Sequence, residues 1–151
     1  MLNIHERIID MDAHMAFQYL EDMGTAKDLV WPNPDLPFER TPGELRPGVT
    51  TESHGRIRAT LQDYTSGSRI AWGVDMAALK GSHVFLVEAI APGKSKVKHV
   101  LEVDLAPWFV PLWDAEIGPL HDKILEGLLD KMQQLASEHG GMTAEHGAST
   151  A

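Results

Sequence analysis

The sequence predicts an α+β fold: a curved antiparallel sheet wrapped around a long C-terminal helix, with two short helices after the first strand. Three observations carry this. Residues 49–61 and 69–74 alternate apolar and polar side chains with a period of two, 82–90 and 96–105 do the same, and 117–135 switch to apolar residues three and four apart. A sheet with one apolar face and a helix with one apolar stripe must bury those surfaces against each other.

The first strand falls at 2–10, where Leu2, Ile4 and Ile8 alternate with Asn3, His5 and Arg7. The Ile8-Ile9 pair leaves its inward face open; in one of the two settings Glu6 is buried beside Ile4 and Ile8, where desolvation raises a carboxyl pKa. Asp12 stands in an N-cap position, and Met15, Ala16, Tyr19, Leu20 and Met23 follow at helical spacing as far as Gly24, which predicts a helix over 12–23. A second short helix is expected over Thr25–Trp31. Pro32, Pro34, Pro37, Pro42 and Pro47 then predict a rigid connector without regular structure up to Gly48.

From Val49 onward, Ser53, Gly55, Ile57, Ala59 and Leu61 share one face, with Glu52, His54, Arg56, Arg58 and Thr60 on the other. After Thr65-Ser66-Gly67, the residues Ile70, Trp72 and Val74 resume the inward face. Pairing Leu61 with Ile70 and Ala59 with Trp72 keeps the apolar sets together, the condition that fixes register. Around Ala91-Pro92-Gly93-Lys94-Ser95, pairing Ala89 with Val97 places His83, Phe85 and Val87 on one face with His99, Leu101, Val103 and Leu105. It sets Glu88 near Lys98 on the opposite face and keeps His83 out of contact with His99. The final helix is expected over 119–138, with Ile117, Leu120, Ile124, Leu125, Leu128, Met132 and Leu135 on its buried side, Pro119 at its start and Gly140-Gly141 at its end. Gly118-Pro119 argues against one unbroken helix from 108 to 138. Residues 1–138 thus form one domain and 139–151 a polar tail, in which Met142 is the one large apolar residue.

Composition narrows the function. A chain of 151 residues is one domain's worth, and its net charge of −9 opposes a polyanion, so nucleic acid is excluded as a partner. The absence of cysteine removes disulfides, thiolate metal sites and cysteine nucleophiles. Charge at His5, Glu6 and Arg7 comes too early for a signal peptide, and the expected compartment is the cytoplasm. The aromatic stretch Leu105–Trp113 holds two prolines and is about half the ~20 residues a membrane span needs.

The order of elements, with Ile8-Ile9-Asp10-Met11-Asp12-Ala13, Ala16-Phe17, Leu20, Leu29-Val30-Trp31-Pro32 and Arg69-Ile70-Ala71-Trp72, resembles the helix-grip fold of the START-like (SRPBCC) superfamily, in its polyketide cyclase/dehydrase and lipid-transport branch. The resemblance covers about residues 2–137. It implies a small hydrophobic ligand, of lipid, quinone or polyketide type, held as by a carrier or sensor. It also leaves open a cyclase- or dehydratase-like enzyme using cavity histidines for proton transfer, and a protein-interaction module.

A sheet curved around a helix leaves a cavity, and its expected lining is Ile57, Ala59, Trp72, His83, Phe85, His99, Leu101, Trp108, Trp113, His121 and Leu125. Leu105–Trp113 is expected to cross one end of the sheet as a wall or mouth. Of the eight histidines, His83 and His99 face inward in the predicted register, and His121 lies on the terminal helix beside Leu120 and Leu125, at its flank or under the sheet. No HxxxH or HExxH pair lies on a predicted helix, so neither a metal nor another cofactor is expected. No phosphate-cradling glycine loop or GxSxG elbow is present. The predicted partner is a small apolar molecule, with monomer and homodimer both open.

Overall fold

The computed structural model describes the backbone of residues 1–150 and the side chains of residues 1–139. Its elements are β1 (Leu2–Ile9), α1 (Ala13–Asp22), β2 (Phe38–Arg40), β3 (Thr51–His54), β4 (Ile57–Thr65), β5 (Arg69–Asp75), β6 (Leu79–Ala91), β7 (Lys94–Leu105), α2 (Val110–Leu112), a π-turn (Trp113–Ile117) and α3 (Gly118–Thr150). The strands form one antiparallel sheet in the order β1-β7-β6-β5-β4-β3-β2. This is the expected α+β architecture of a curled sheet gripping a C-terminal helix. The side chains of the expected polar tail beyond residue 139 lie outside the described residues.

The core lies between the sheet's inner face and two helices. Helix α3 contributes Ile124, Leu125, Leu128, Leu129, Met132 and Ala136, and α1 contributes Ala16, Phe17 and Leu20. Leu128 and Met132 are fully buried, each worth roughly 1.5–3 kcal/mol relative to exposure. Leu120, expected in this set, is 40% exposed because it turns outward beside the π-turn. Asp12 precedes α1 without capping it; its Oδ1 instead accepts a hydrogen bond from the Gly93 amide at 2.8 Å, tying the helix start to the β6–β7 turn.

Several local expectations are corrected. Residues 25–31 form turns, not a helix, because the Asp28 carboxylate accepts from the amides of Gly24, Val30 and Trp31 and folds the chain around itself. The proline-rich connector contains β2, which fits between Pro37 and Pro42 and pairs with β3. The run 49–61 is two strands joined by a two-residue turn at Gly55-Arg56, with Gly55 at φ +59°, a left-handed value that favours glycine. That turn reverses the phase of β3, so Glu52 and His54 face inward with Ala59 and Ile57, not outward with Arg56 and Arg58.

Between β4 and β5 the register slips by one residue at Gln62, and Leu61 opposes Trp72 while Tyr64 opposes Ile70. Across β6 and β7, Ala89 pairs with Ser95, Phe85 with His99 and His83 with Leu101. This differs from the predicted register by two residues, which preserves the faces but brings His83 and His99 together and sets Glu88 against Lys96 instead of Lys98. In β1 the outward residues are Leu2, Ile4, Glu6 and Ile8, so Glu6 is exposed. Asn3, His5 and Arg7 turn toward α3, with Ile9 closing the core. Finally, the helical run continues across Gly118-Pro119: the π-turn closes with the Gly118 amide donating to Trp113 O, and Pro119 follows as the second residue of α3.

Candidate functional site

The antiparallel pairing of β5, β6 and β7 lays Trp72, His83, Phe85, His99 and Leu101 side by side on the inner face, each no more than 6% exposed. The rings touch: Trp72 stacks on His83 at 6.4 Å between centroids, and Phe85 lies 4.6 Å from His99. Beneath them, α3 presents His121 with its ring 5.5 Å from that of His99. Ala59 and Leu125 are buried in the same wall, and Ile57 is partly buried at the β3–β4 turn. The two best-formed concavities among the described residues lie on the sheet's outer face. The larger, about 770 Å³, is bordered by Ser53, Arg58, Thr60, Gln62 and Asp75, and neither reaches Trp72, Phe85 or His99.

A polar chain crosses this apolar wall. The buried Glu52 carboxylate accepts from His83 Nε2 at 2.8 Å and from His54 Nδ1 at 2.7 Å. These two contacts hold its pKa down, to about 2, against burial, which pushes it up. In the neutral tautomer of His83 that donates from Nε2 to Glu52, Nδ1 accepts from His99 Nε2 at 3.4 Å. His99 Nδ1, at the end of the chain, is buried with no hydrogen-bond partner. Burial pushes the His99 pKa well below 6.5, reinforced by neighbouring imidazoles, so His99 is neutral and its Nδ1 carries a bare lone pair. Burial likewise lowers His121, to about 4.

The 105–117 segment closes the end of this wall. Trp108 is 66% exposed, whereas Phe109 and Trp113 are buried, and the Trp113 ring rests 5.9 Å from His121. A Cβ on Gly118 would lie 2.9 Å from Trp113 Nε1, so glycine is what lets the indole lie along the helix. The π-turn at Trp113–Ile117 widens the helix at this point; such turns are frequent at functional positions.

At the other margin, β1 meets α3 through polar contacts that sequence reasoning missed. His5 lies between Asp122 (Nε2 to Oδ1, 2.9 Å) and Glu126 (Nδ1 to Oε2, 2.7 Å), while Arg7 reaches Glu126 at 3.0 Å and Asp130 at 2.5 Å. Of the predicted lining, Trp72, His83, Phe85, His99, Leu101, His121 and Trp113 come together, whereas Trp108 points into solvent. Glu52 and His54 were legible only if Gly55-Arg56 was read as a hairpin turn. No local pattern joins His5 to Asp122 across the whole chain.

A seven-stranded antiparallel sheet gripping one long helix is the START-like helix-grip fold. Solved structures share it. A START superfamily protein from Mycobacterium smegmatis superposes with a TM-score of 0.61 at 12% identity, over 91% of this chain and 97% of its own. Norcoclaurine synthase from Thalictrum flavum, a point mutant in complex with a transition-state analogue, gives 0.66 at 16% identity over 93% and 96%. A protein from Thermobifida fusca gives 0.69 at 12% identity over 91% and 93%. At such identities the likeness establishes the fold. No protein-family sequence model matches the chain, and no curated protein sequence does.

Proposed function

We propose that the protein binds a small hydrophobic molecule carrying a hydrogen-bond donor, between the sheet and α3, as a carrier or sensor. The observation that carries this reading is the bare Nδ1 of His99, buried among Trp72, Phe85 and Leu101. An unpartnered buried acceptor costs about 1–3 kcal/mol, which a hydroxyl or N–H of a ligand would recover. Access runs past the 105–117 segment: displacing the Trp113 indole uncovers His121 and then His99. Lipids, quinols and polyketide-like phenols share the required chemistry, an apolar body with one polar group. We keep the cytoplasm as the compartment, in keeping with a cysteine-free chain; no described helix is long and apolar enough to cross a membrane.

The Glu52–His83–His99 chain favours a second reading, acid/base catalysis on the bound molecule. A carboxylate that orients one imidazole, which in turn orients another, resembles the way general bases are positioned. A helix-grip neighbour, norcoclaurine synthase, has been solved with dopamine and hydroxybenzaldehyde. Phenolic aromatics are therefore the substrate class to test first.

The test uses N-phenyl-1-naphthylamine, an apolar fluorophore with one N–H donor. Saturable fluorescence enhancement is expected, weakened about tenfold in His99→Leu, equivalent to one lost hydrogen bond. Absence of saturable binding, with no small molecule retained in native mass spectra of protein purified from its own host, would overturn the ligand reading.

A further inference from the structure

The seam between β1 and α3 holds a group of which the ligand reading uses only His121, as a point on the way to His99. His5, His121 and Asp122 each bring one ligand atom to a group whose members lie within 4.8 Å of one another. Asp122 Oδ1 is 2.9 Å from His5 Nε2 and 3.7 Å from His121 Nδ1. A tetrahedral zinc site with arms of about 2.0–2.1 Å separates its ligand atoms by about 3.3 Å, so these two distances bracket the required edge.

Two further observations point to a missing partner at this spot. His121 Nδ1 and Asn3 Oδ1 are both buried without a hydrogen-bond partner, and both belong to residues flanking the same Asp122 oxygen. Asn3 Nδ2 donates to that oxygen at 2.9 Å and fixes the carboxylate's direction. The second shell is also in place. His5 Nδ1 faces Glu126 Oε2 at 2.7 Å, the carboxylate–histidine arrangement that orients a metal-ligating imidazole. Arg7 holds that glutamate from its other oxygen at 3.0 Å.

The geometry points to a divalent transition-metal site formed by His5, His121 and Asp122, with Glu126 as the residue that positions His5. Two imidazoles and one carboxylate suit zinc and its first-row neighbours better than magnesium or calcium, which prefer all-oxygen sites. Three protein ligands leave a coordination position for water or a ligand oxygen. The Asp122 side chain is half exposed, so an ion reaches the group from solvent without opening the core. The expectation from sequence, no metal, followed from spacing within single elements; this group joins a strand and a helix from opposite ends of the chain.

The test is titration of tag-free protein with Zn²⁺, followed by calorimetry and thermal melting, and with Co²⁺, followed by visible absorption. One equivalent of Zn²⁺ is expected to bind and raise Tm, and Co²⁺ to give the intense visible bands of a tetrahedral site. Asp122→Asn and His5→Asn are expected to abolish the Co²⁺ bands. Glu126→Gln, a conservative change on an exposed helix face, should weaken Zn²⁺ binding by about 10–100-fold while leaving the metal-free melt nearly unchanged. Absence of stoichiometric binding, or binding of equal strength in Asp122→Asn and Glu126→Gln, overturns the proposal and assigns any uptake to surface histidines such as His14 and His139. Because the readouts are metal affinity and cobalt spectra, failure here leaves the ligand reading at His99 standing, and the reverse holds too.

Discussion

Two polar clusters line the same helix-grip interior and differ in solvent access. Along the β1–α3 seam, His5 and Arg7 meet Asp122, Glu126 and Asp130 with carboxylates that are half exposed or more. Under β3, β6 and β7, the Glu52 side chain is fully buried and answered by His54 and His83, and the line ends at an unpartnered nitrogen. Water screens the first cluster, so each ion pair contributes little. In the second, low local polarity makes every partner matter and makes an absent one costly. The contrast separates a solvent-screened seam from a buried line that ends with one nitrogen unanswered.

The largest effect is expected at Glu52. Glu52→Ala leaves His54 and His83 without their acceptor and opens a space beside His83, and should lower urea-unfolding stability by about 3–5 kcal/mol. A loss below ~1 kcal/mol would place Glu52 in the same class as the seam carboxylates.

Next come the two tryptophans of the closing segment. Trp113→Ala removes a buried indole and should cost about 3 kcal/mol, whereas Trp108→Ala should change stability by no more than ~0.5 kcal/mol yet alter the rate of N-phenyl-1-naphthylamine uptake. Equal uptake rates in wild type and Trp108→Ala would remove the exposed indole from the entrance.

The buried cluster should also dominate acid stability. His99 has its pKa lowered on folding, so its contribution is complete above the unfolded value near 6.5 and is lost as pH falls below it, when the unfolded chain takes up the proton. Glu52, lowered from 4.5 to about 2, contributes above pH 4.5 and loses that contribution between 4.5 and 2, on the order of 3 kcal/mol. Stability should therefore decline in two stages on acidification, with His121 adding to the upper one, and the lower stage should shrink in Glu52→Gln. The smallest change is at the seam: Arg7→Ala should cost about 0–1 kcal/mol, less at high salt.

The sequence carried the architecture but not its phase. Alternation in 82–90 and 96–105 placed His83, Phe85, His99 and Leu101 on one face, because a shift of two residues leaves parity intact. The same alternation misplaced Glu52 and His54, since a two-residue turn at Gly55-Arg56 inverts parity without interrupting the pattern. Apolar periodicity found α3, yet it could not foresee that Leu120 faces out while His121 lies against His99 and Trp113. The seam was illegible for a different reason: His5 meets Asp122 and Glu126 only through β1 pairing with β7 and packing on α3, a purely tertiary outcome.

The central claim is that the bare nitrogen of His99 receives the polar group of a bound apolar molecule. Imidazole ¹⁵N NMR of the protein with N-phenyl-1-naphthylamine addresses it directly. The His99 Nδ1 resonance should start at the position of an unprotonated nitrogen without a donor and move upfield in proportion to fluorophore bound, while His54 stays in place. Saturable binding with the His99 Nδ1 resonance unmoved would contradict the claim and put the ligand elsewhere on the fold.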